Sequence, residues 1–255
     1  MNILIVIDET SFFHPIFLNK LIRKLKKKNH LKIALITKIK KSNSLERYLI
    51  KNIFNLKVKE IIKLSYKKLL AVLFKNVFYN FGKFFSVMDV IKKNRVQYMK
   101  IEYDINREDY FDEINEFFPD IIISSCSVIF GNQILNLPKY GCINRHSSLL
   151  PSYGGVYPVF HSIANGDEFS GVTIHEMTNE IDGGKILAQE KIYNVDKNLY
   201  KIYKVAFDIS VELIISAIDN KINNKYIKNN FKKKYFSFPS KKDWINFRNN
   251  KGKFI

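Results

Sequence analysis

The sequence predicts an α/β protein: a Rossmann-like, mostly parallel sheet flanked by helices, with a small C-terminal appendage. Three observations carry this expectation. The chain opens on a strand–helix–strand pattern within residues 2–37, the signature of a parallel pair joined by a right-handed crossover. Two further apolar runs, "DIIISSCSVIF" (120–130) and "GCIN" (141–144), read as buried strands of the same sheet. The length of 255 residues, with 46% apolar, is enough for a sizeable core and excludes a disordered chain.

In order, "NILIVID" (2–8) is a strand of aliphatic and β-branched residues. Residues 15–28 follow as a helix, with Pro15 in its first turn and Phe17, Leu18, Leu21, Ile22 and Leu25 at helical spacing. "KIALIT" (32–37) is the second strand. Residues 44–95 are mostly helical in pattern. Their stretch "LLAVLFKNVFYNFGKFF" (69–85) fits either a core-packed helical pair or an amphipathic segment lying at a membrane surface. "VQYMKIE" (96–102) is a strand. "NREDYFDEINEFF" (106–118) is a helix with Asn106 as its cap, an apolar side from Tyr110 to Phe118, and Pro119 as its stop. Gly131 is expected to permit the turn after the 120–130 strand. "YPVFHSIANGDE" (157–168) is a helix closed at Asn165-Gly166. "GVTIHEM" (171–177) alternates as a strand, with Thr173, His175 and Met177 on one side. An acidic loop, "NEIDGG", leads to another strand, and 198–218 form a long helix. The organisation expected is a catalytic domain over 1–194 and a short C-terminal helix and tail over 195–255.

The start lacks the basic region and cleavage site of a secretory signal, and no run is long enough to span a bilayer, so a cytoplasmic location is expected. Cys126 and Cys142 lie in apolar runs and read as reduced, buried thiols. The formal charge of +18 fits a polyanionic partner, but Lys far exceeds Arg, and the bias toward Lys, Ile, Asn, Phe and Tyr fits compositional drift on solvated surfaces better. Nucleic acid is disfavoured as a partner on this reading, and any membrane association is weak.

Motifs narrow the chemistry. No G-x-G-x-x-G or P-loop follows the first strand, no G-x-S-x-G elbow occurs, and no His or Cys pair has zinc spacing, so no metal is expected. What stands out is "CINRHSSLLPSYGG" (142–155). Asn144 and His146, at i and i+2, project from one face at the carboxyl end of a strand, where open α/β sheets hold ligands. Asp182 sits in "EIDGG", where two glycines let the loop fold back over the sheet edge. Amide and imidazolium donors beside a carboxylate, without a side-chain nucleophile, suit attack by a substrate's own nucleophile on an activated carbonyl. The donors stabilise the oxyanion, and the carboxylate orients the imidazole and helps remove a proton. A lone histidine at a strand end also serves packing, and spacing alone leaves both readings open.

The stretch "GCINRHSSLLPSYGGVYPVFHSIANGDEFSGVTIHEMTNEIDGGKILAQEKI" resembles the catalytic core of the formyltransferases that use N10-formyltetrahydrofolate. The shared pattern is N-x-H-x-S-L-L-P, a G-x-T-x-H-like strand and an acidic D-x-G loop, and the likeness covers about residues 117–192. Asn144, His146 and Asp182 match that family's catalytic trio position by position. The resemblance implies that Ser127, Val128, Ile129 and Phe130 line the pocket of the formyl-folate, and that Glu180 and Ile181 offer backbone groups to its pterin ring. Within the family the upstream segments look most like the sugar N-formyltransferases. The implied reaction is formylation of an amine on a nucleotide-linked (dTDP) amino sugar, giving a formamido sugar for surface polysaccharide; a homodimer is compatible with it. The sequence departs at Gly154, where many members carry Arg. It lacks the Gly-rich phosphate loop of glycinamide ribonucleotide formyltransferase, and its tail is shorter than the C-terminal barrel of methionyl-tRNA formyltransferase. Formylation of methionyl-tRNA or another non-sugar amine, a folate-dependent deformylating hydrolase, and a non-catalytic nucleic-acid-binding protein are the alternatives.

Overall fold

The structure, a computed structural model, describes residues 1–9, 12–38, 52–73 and 84–255. Strands β1 (Asn2–Asp8), β2 (His30–Lys38), β3 (Gln97–Glu102), β4 (Ile121–Ser125), β5 (Cys142–His146), β7 (Phe169–Glu176) and β8 (Ile186–Tyr193) form one sheet in the order β3-β2-β1-β4-β5-β7-β8. Neighbours are parallel from β3 through β5, and β5–β7 and β7–β8 are antiparallel. A two-residue strand β6 (Gly154–Gly155) pairs with β9 (Tyr235–Phe236) away from the sheet.

Alternation along the strands builds a core on each face. Ile3, Ile5 and Ile7 join one cluster, and Leu4 and Val6 join the other. The first face is covered by α1 (His14–Leu25), α3 (Val87–Asn94), α6 (Pro158–Ala164), α7 (Leu199–Ile222) and α8 (Lys241–Asn249), through Phe17, Val90, Phe160, Val211 and Trp244. The second is covered by α4 (Glu108–Glu116) and α5 (Asn132–Asn136), through Ile114 and Ile134. Each such side chain, fully withdrawn from water, contributes about 1.5–3 kcal/mol. Residues of α7 and α8 lie in the same cluster as β1, so the segment after residue 195 packs on the sheet.

A helix α2 (Val58–Leu73) fills part of the region expected to be helical; residues 44–51 and 74–83 of that region lie outside the described residues.

Three local expectations are corrected. Asn106 does not cap α4, whose N-cap is Arg107 with no side-chain cap bond; its Oδ1 instead accepts Gly131 N at 2.5 Å and its Nδ2 donates to Ile129 O at 2.9 Å. Gly131 does not serve the turn through its backbone angle, since its φ is −77°, and a Cβ there would meet Asn106 Oδ1 tightly at 3.0 Å. Phe118 leaves the apolar side of α4, because the chain turns left-handed there (φ 48°) and exposes the ring.

Candidate active site

β5 lies between β4 and β7, and its register places Asn144 beside Ser124 on one side and His175 on the other, with His146 opposite Thr173. Asn144 and His146 therefore share a face. Arg145 points to the other face and locks the strand end down. Its Nε donates to Ser210 Oγ and its Nη2 to Ser147 Oγ, both at 2.8 Å, and its guanidinium lies 3.6 Å over the Phe207 ring. Burial draws this guanidinium down to about 9.

The loop after β5 is fastened at several points. Leu150 N donates to Thr173 Oγ1 at 3.1 Å, and Thr173 Oγ1 donates to Ser148 O at 2.7 Å. Gln189 Nε2 and Asn229 Nδ2 donate to Leu150 O at 2.9 and 2.8 Å. Ser148, expected to bond the turn, donates to Ser152 O at 2.9 Å. The Leu150–Pro151 peptide is cis. The loop brings Tyr153 O to within 2.9 Å of His146 Nε2.

Asp182 comes from the opposite side. The loop between β7 and β8 folds back, with Glu176 N donating to Lys185 O at 2.9 Å. Gly184 is required by this close approach, since a Cβ would lie 1.9 Å from Glu176 O. Asp182 has a left-handed backbone (φ 54°), and its Oδ2 accepts Gly155 N at 2.7 Å. That leaves Oδ1 3.7 Å from His146 Nδ1 and 3.6 Å from His175 Nε2. The three residues expected from the sequence do converge, and His175 joins them. Its only sequence signal was a G-x-T-x-H-like strand; its position beside Asn144 depends on the antiparallel pairing of β5 with β7.

Hydrogen bonding assigns the protons. His175 Nδ1 lies 2.8 Å from Glu176 O, so it carries the hydrogen. Burial pushes His175 down to about 4, keeping it neutral, and its Nε2 accepts from Asn144 Nδ2 at 3.3 Å. The Asn144 amide is thereby oriented, with one N–H beyond the bond to His175, and its Oδ1 is buried without a protein partner. His146 Nε2 donates to Tyr153 O, so in the neutral ring Nδ1 is a lone pair turned toward Asp182. The two thiols are poor nucleophiles: burial pushes Cys126 and Cys142 up to about 12.

A second buried acid shares this face. Register sets Val6, Ser124 and Asn144 in one row, so Asp8, two residues past Val6, projects on the same side as Asn144. Asp8 is 8% exposed, and its Oδ1 has no protein partner. Burial raises its carboxyl to about 7, against hydrogen bonds from Ser127.

The residues expected to meet a folate are divided. Ser127 and Ile129 are exposed in the loop after β4, Val128 is half-buried, and Phe130 turns into the core. Glu180 and Ile181 are exposed, with Glu180 ion-paired to Lys233. The two loops leave the strands that flank Asn144. Their exposed Ile129 and Ile181 offer apolar surface on the loops to either side of Asn144. A cavity of about 250 Å³ runs instead along Ser147, Ser148, Tyr153 and Ser170, and none of Asn144, His146 or Asp182 lines it.

An open α/β sheet with an amide and two imidazoles on neighbouring strands and a carboxylate on the adjoining loop has the groups needed to polarise a carbonyl and take up a proton without a covalent nucleophile. The chain belongs to the formyl transferase family, whose family model, described as "Formyl transferase", matches residues 1–217. Among curated relatives it is 35% identical to the methionyl-tRNA formyltransferase of Thermotoga maritima over 136 residues, 52% of this chain and 43% of that protein. The corresponding protein of Thermotoga neapolitana is 35% identical over 48% of this chain and 39% of its own length. The matches thus span less than half of these relatives. Among solved structures, a sugar N-formyltransferase from a Shewanella species superposes with a TM-score of 0.58 at 19% identity, over 98% of this chain and 87% of that one. Glycinamide ribonucleotide transformylase 1 from Symbiobacterium toebii gives 0.60 at 11% identity, over 90% and 91%. An N-formyltransferase from Helicobacter canadensis, in complex with folinic acid and dTDP-3-aminofucose, gives 0.54 at 18% identity, over 97% and 79%. At these identities the likeness is one of fold.

Proposed function

We propose that this protein moves a formyl group from N10-formyltetrahydrofolate to the amine of a nucleotide-linked amino sugar. The observation that carries the reading is the meeting of Asn144, His146 and His175 around Asp182. When bound, the folate supplies a formyl carbonyl open to attack by an amine. Asn144, oriented by neutral His175, donates an N–H to the carbonyl oxygen as charge builds on it. Loss of one such donor costs on the order of 3 kcal/mol in the barrier. His146 accepts the amine's proton at Nδ1 while Nε2–H stays on Tyr153 O; Asp182 faces the resulting imidazolium and offsets its charge until that proton passes to the folate nitrogen as its bond to the formyl carbon breaks. The Gly155 N–H on Oδ2 keeps Asp182 turned toward the imidazoles. On this reading residues 1–194 carry all of the catalytic side chains, and 195–255 brace the sheet and the loop after β5.

The amino sugar is favoured by the match of 98% of this chain to a sugar N-formyltransferase and by the N-formyltransferase of like fold that holds dTDP-3-aminofucose. Methionyl-tRNA is the second reading, favoured by the sequence relatives. The test offers formyl-folate with a panel of nucleotide-linked amino sugars and, separately, with methionyl-tRNA. Tetrahydrofolate release with a formyl mass gain on one sugar is expected. Gain on the tRNA alone moves the assignment to the second reading, and formate without an acceptor makes the protein a hydrolase. Asp182→Asn is expected to lower turnover by about two orders of magnitude or more while folate affinity holds. Unchanged turnover removes Asp182 from the mechanism.

A further inference from the structure

Helix α2 is held to the protein by one face. Glu60, in its first turn, is buried, accepting Arg248 Nη1 at 2.9 Å, Arg248 Nη2 at 2.6 Å and Phe254 N at 2.7 Å. Ile61 and Leu64, on the same side, are half-buried. The opposite side is apolar and exposed. Val58, Ile62, Tyr66, Leu69 and Leu73 recur at steps of four, four, three and four residues, which places them in one stripe along the helix. Ile62 stands about 200° around the axis from Glu60. The exposures run from 54% at Leu69 to 72% at Val58, and Phe54, in the turn just before the helix, is 95% exposed. A helix that packs through one face normally turns charge, not aliphatic and aromatic side chains, to the other.

The charge here lies on the flanks. Lys59 and Lys63 follow one edge of the stripe at i and i+4, Lys57 and Lys68 lie beyond the other, and Lys67 turns back toward the packed side. Lys67 Nζ lies 4.2 Å from the centre of the Tyr200 ring. Glu60, the acid of this helix, faces inward and is neutralised by Arg248. The outward surface is therefore apolar along its middle and cationic along its edges, on a protein of formal charge +18. Two copies meeting through this face would oppose like charges. A surface of phosphate headgroups over acyl chains complements both parts, the lysines at the phosphates and the stripe at the acyl boundary. No helix among the described residues is long and apolar enough to cross a membrane, so the contact is one of lying on it.

We propose that the outward face of α2, with Phe54, docks this protein on an anionic lipid surface. The test is flotation of the full-length chain with phosphatidylcholine vesicles and with vesicles carrying about 30% phosphatidylglycerol, at fixed ionic strength. Binding to the anionic vesicles is expected. It should weaken at least about tenfold in Ile62→Ser/Leu69→Ser and comparably in Lys59→Gln/Lys63→Gln/Lys68→Gln, with thermal unfolding unchanged because all five side chains sit on the surface. Absence of binding overturns the proposal. So does binding that survives the Ile62/Leu69 change, which assigns it to diffuse charge. A dimer in light scattering that the same change dissolves, without vesicle binding, overturns it in favour of a second copy as the occupant.

Discussion

Asp8→Asn isolates the cost of burying an acid beside the candidate site. Burial lifts the Asp8 carboxyl from 3.8 to about 7. The folded protein thus keeps a proton that the unfolded chain releases at 3.8. The sign follows: folding is not penalised by this group below pH 3.8, loses stability as pH rises from there to about 7, and stays penalised above. A shift of about three pH units at roughly 1.4 kcal/mol each gives about 4 kcal/mol withheld from the folded state at pH 8. Asn keeps the shape and carries no charge, so it removes that penalty. Its amide N–H₂ replaces the partnerless Oδ1 and costs about 1–3 kcal/mol as a buried unpaired donor, leaving a net gain of roughly 1–3 kcal/mol. For a chain of this length each kcal/mol moves the midpoint by about 2–4 °C. Paired thermal melts of both proteins at pH 4.5, 6 and 8 should show the variant gaining on the parent as pH rises, by roughly 2–12 °C at pH 8. A gap that is constant with pH, or a variant that falls further behind at pH 8, would refute the reasoning.

His175→Phe keeps the ring's bulk but leaves Asn144 Nδ2 without its acceptor; kcat is expected to fall about tenfold to a hundredfold with little change in KM for the amine, measured as folate release. Gly155→Ala should lower the melting midpoint markedly and reduce turnover, because its φ is +92° and a Cβ would stand 2.1 Å from Phe236 O, displacing the N–H that holds Asp182. Turnover should also rise from acid toward mildly alkaline pH as the acceptor amine becomes neutral; a pH-independent rate under saturating substrate would remove the amine's deprotonation from the rate law.

By itself the sequence determined the main strands and helices around the sheet, because alternation and helical spacing of apolar residues are local properties, whereas α5, α8 and the β6–β9 pair went unread. "NILIVID" appears as β1 where expected, while the expected strand "DIIISSCSVIF" ends already at Ser125 as β4 and "GCIN" runs on to His146 as β5. It also determined Asn144, His146 and Asp182 as candidates, since strand parity puts the first two on one face and a two-glycine loop can return the third. The failures had two different causes. Asn106 in a capping pattern was claimed by a carbonyl and an N–H 23 and 25 residues away, and Phe118 was turned out by one left-handed residue. What only the tertiary structure decided is the wiring. His175 orients Asn144 because β7 pairs antiparallel with β5, Tyr153 O takes one nitrogen of His146 because the loop folds under Thr173, and Asp8 joins the same face because β1 lies one strand beyond β4. Each of these contacts joins groups that only strand order and register bring together, and neither is written in any one stretch of chain.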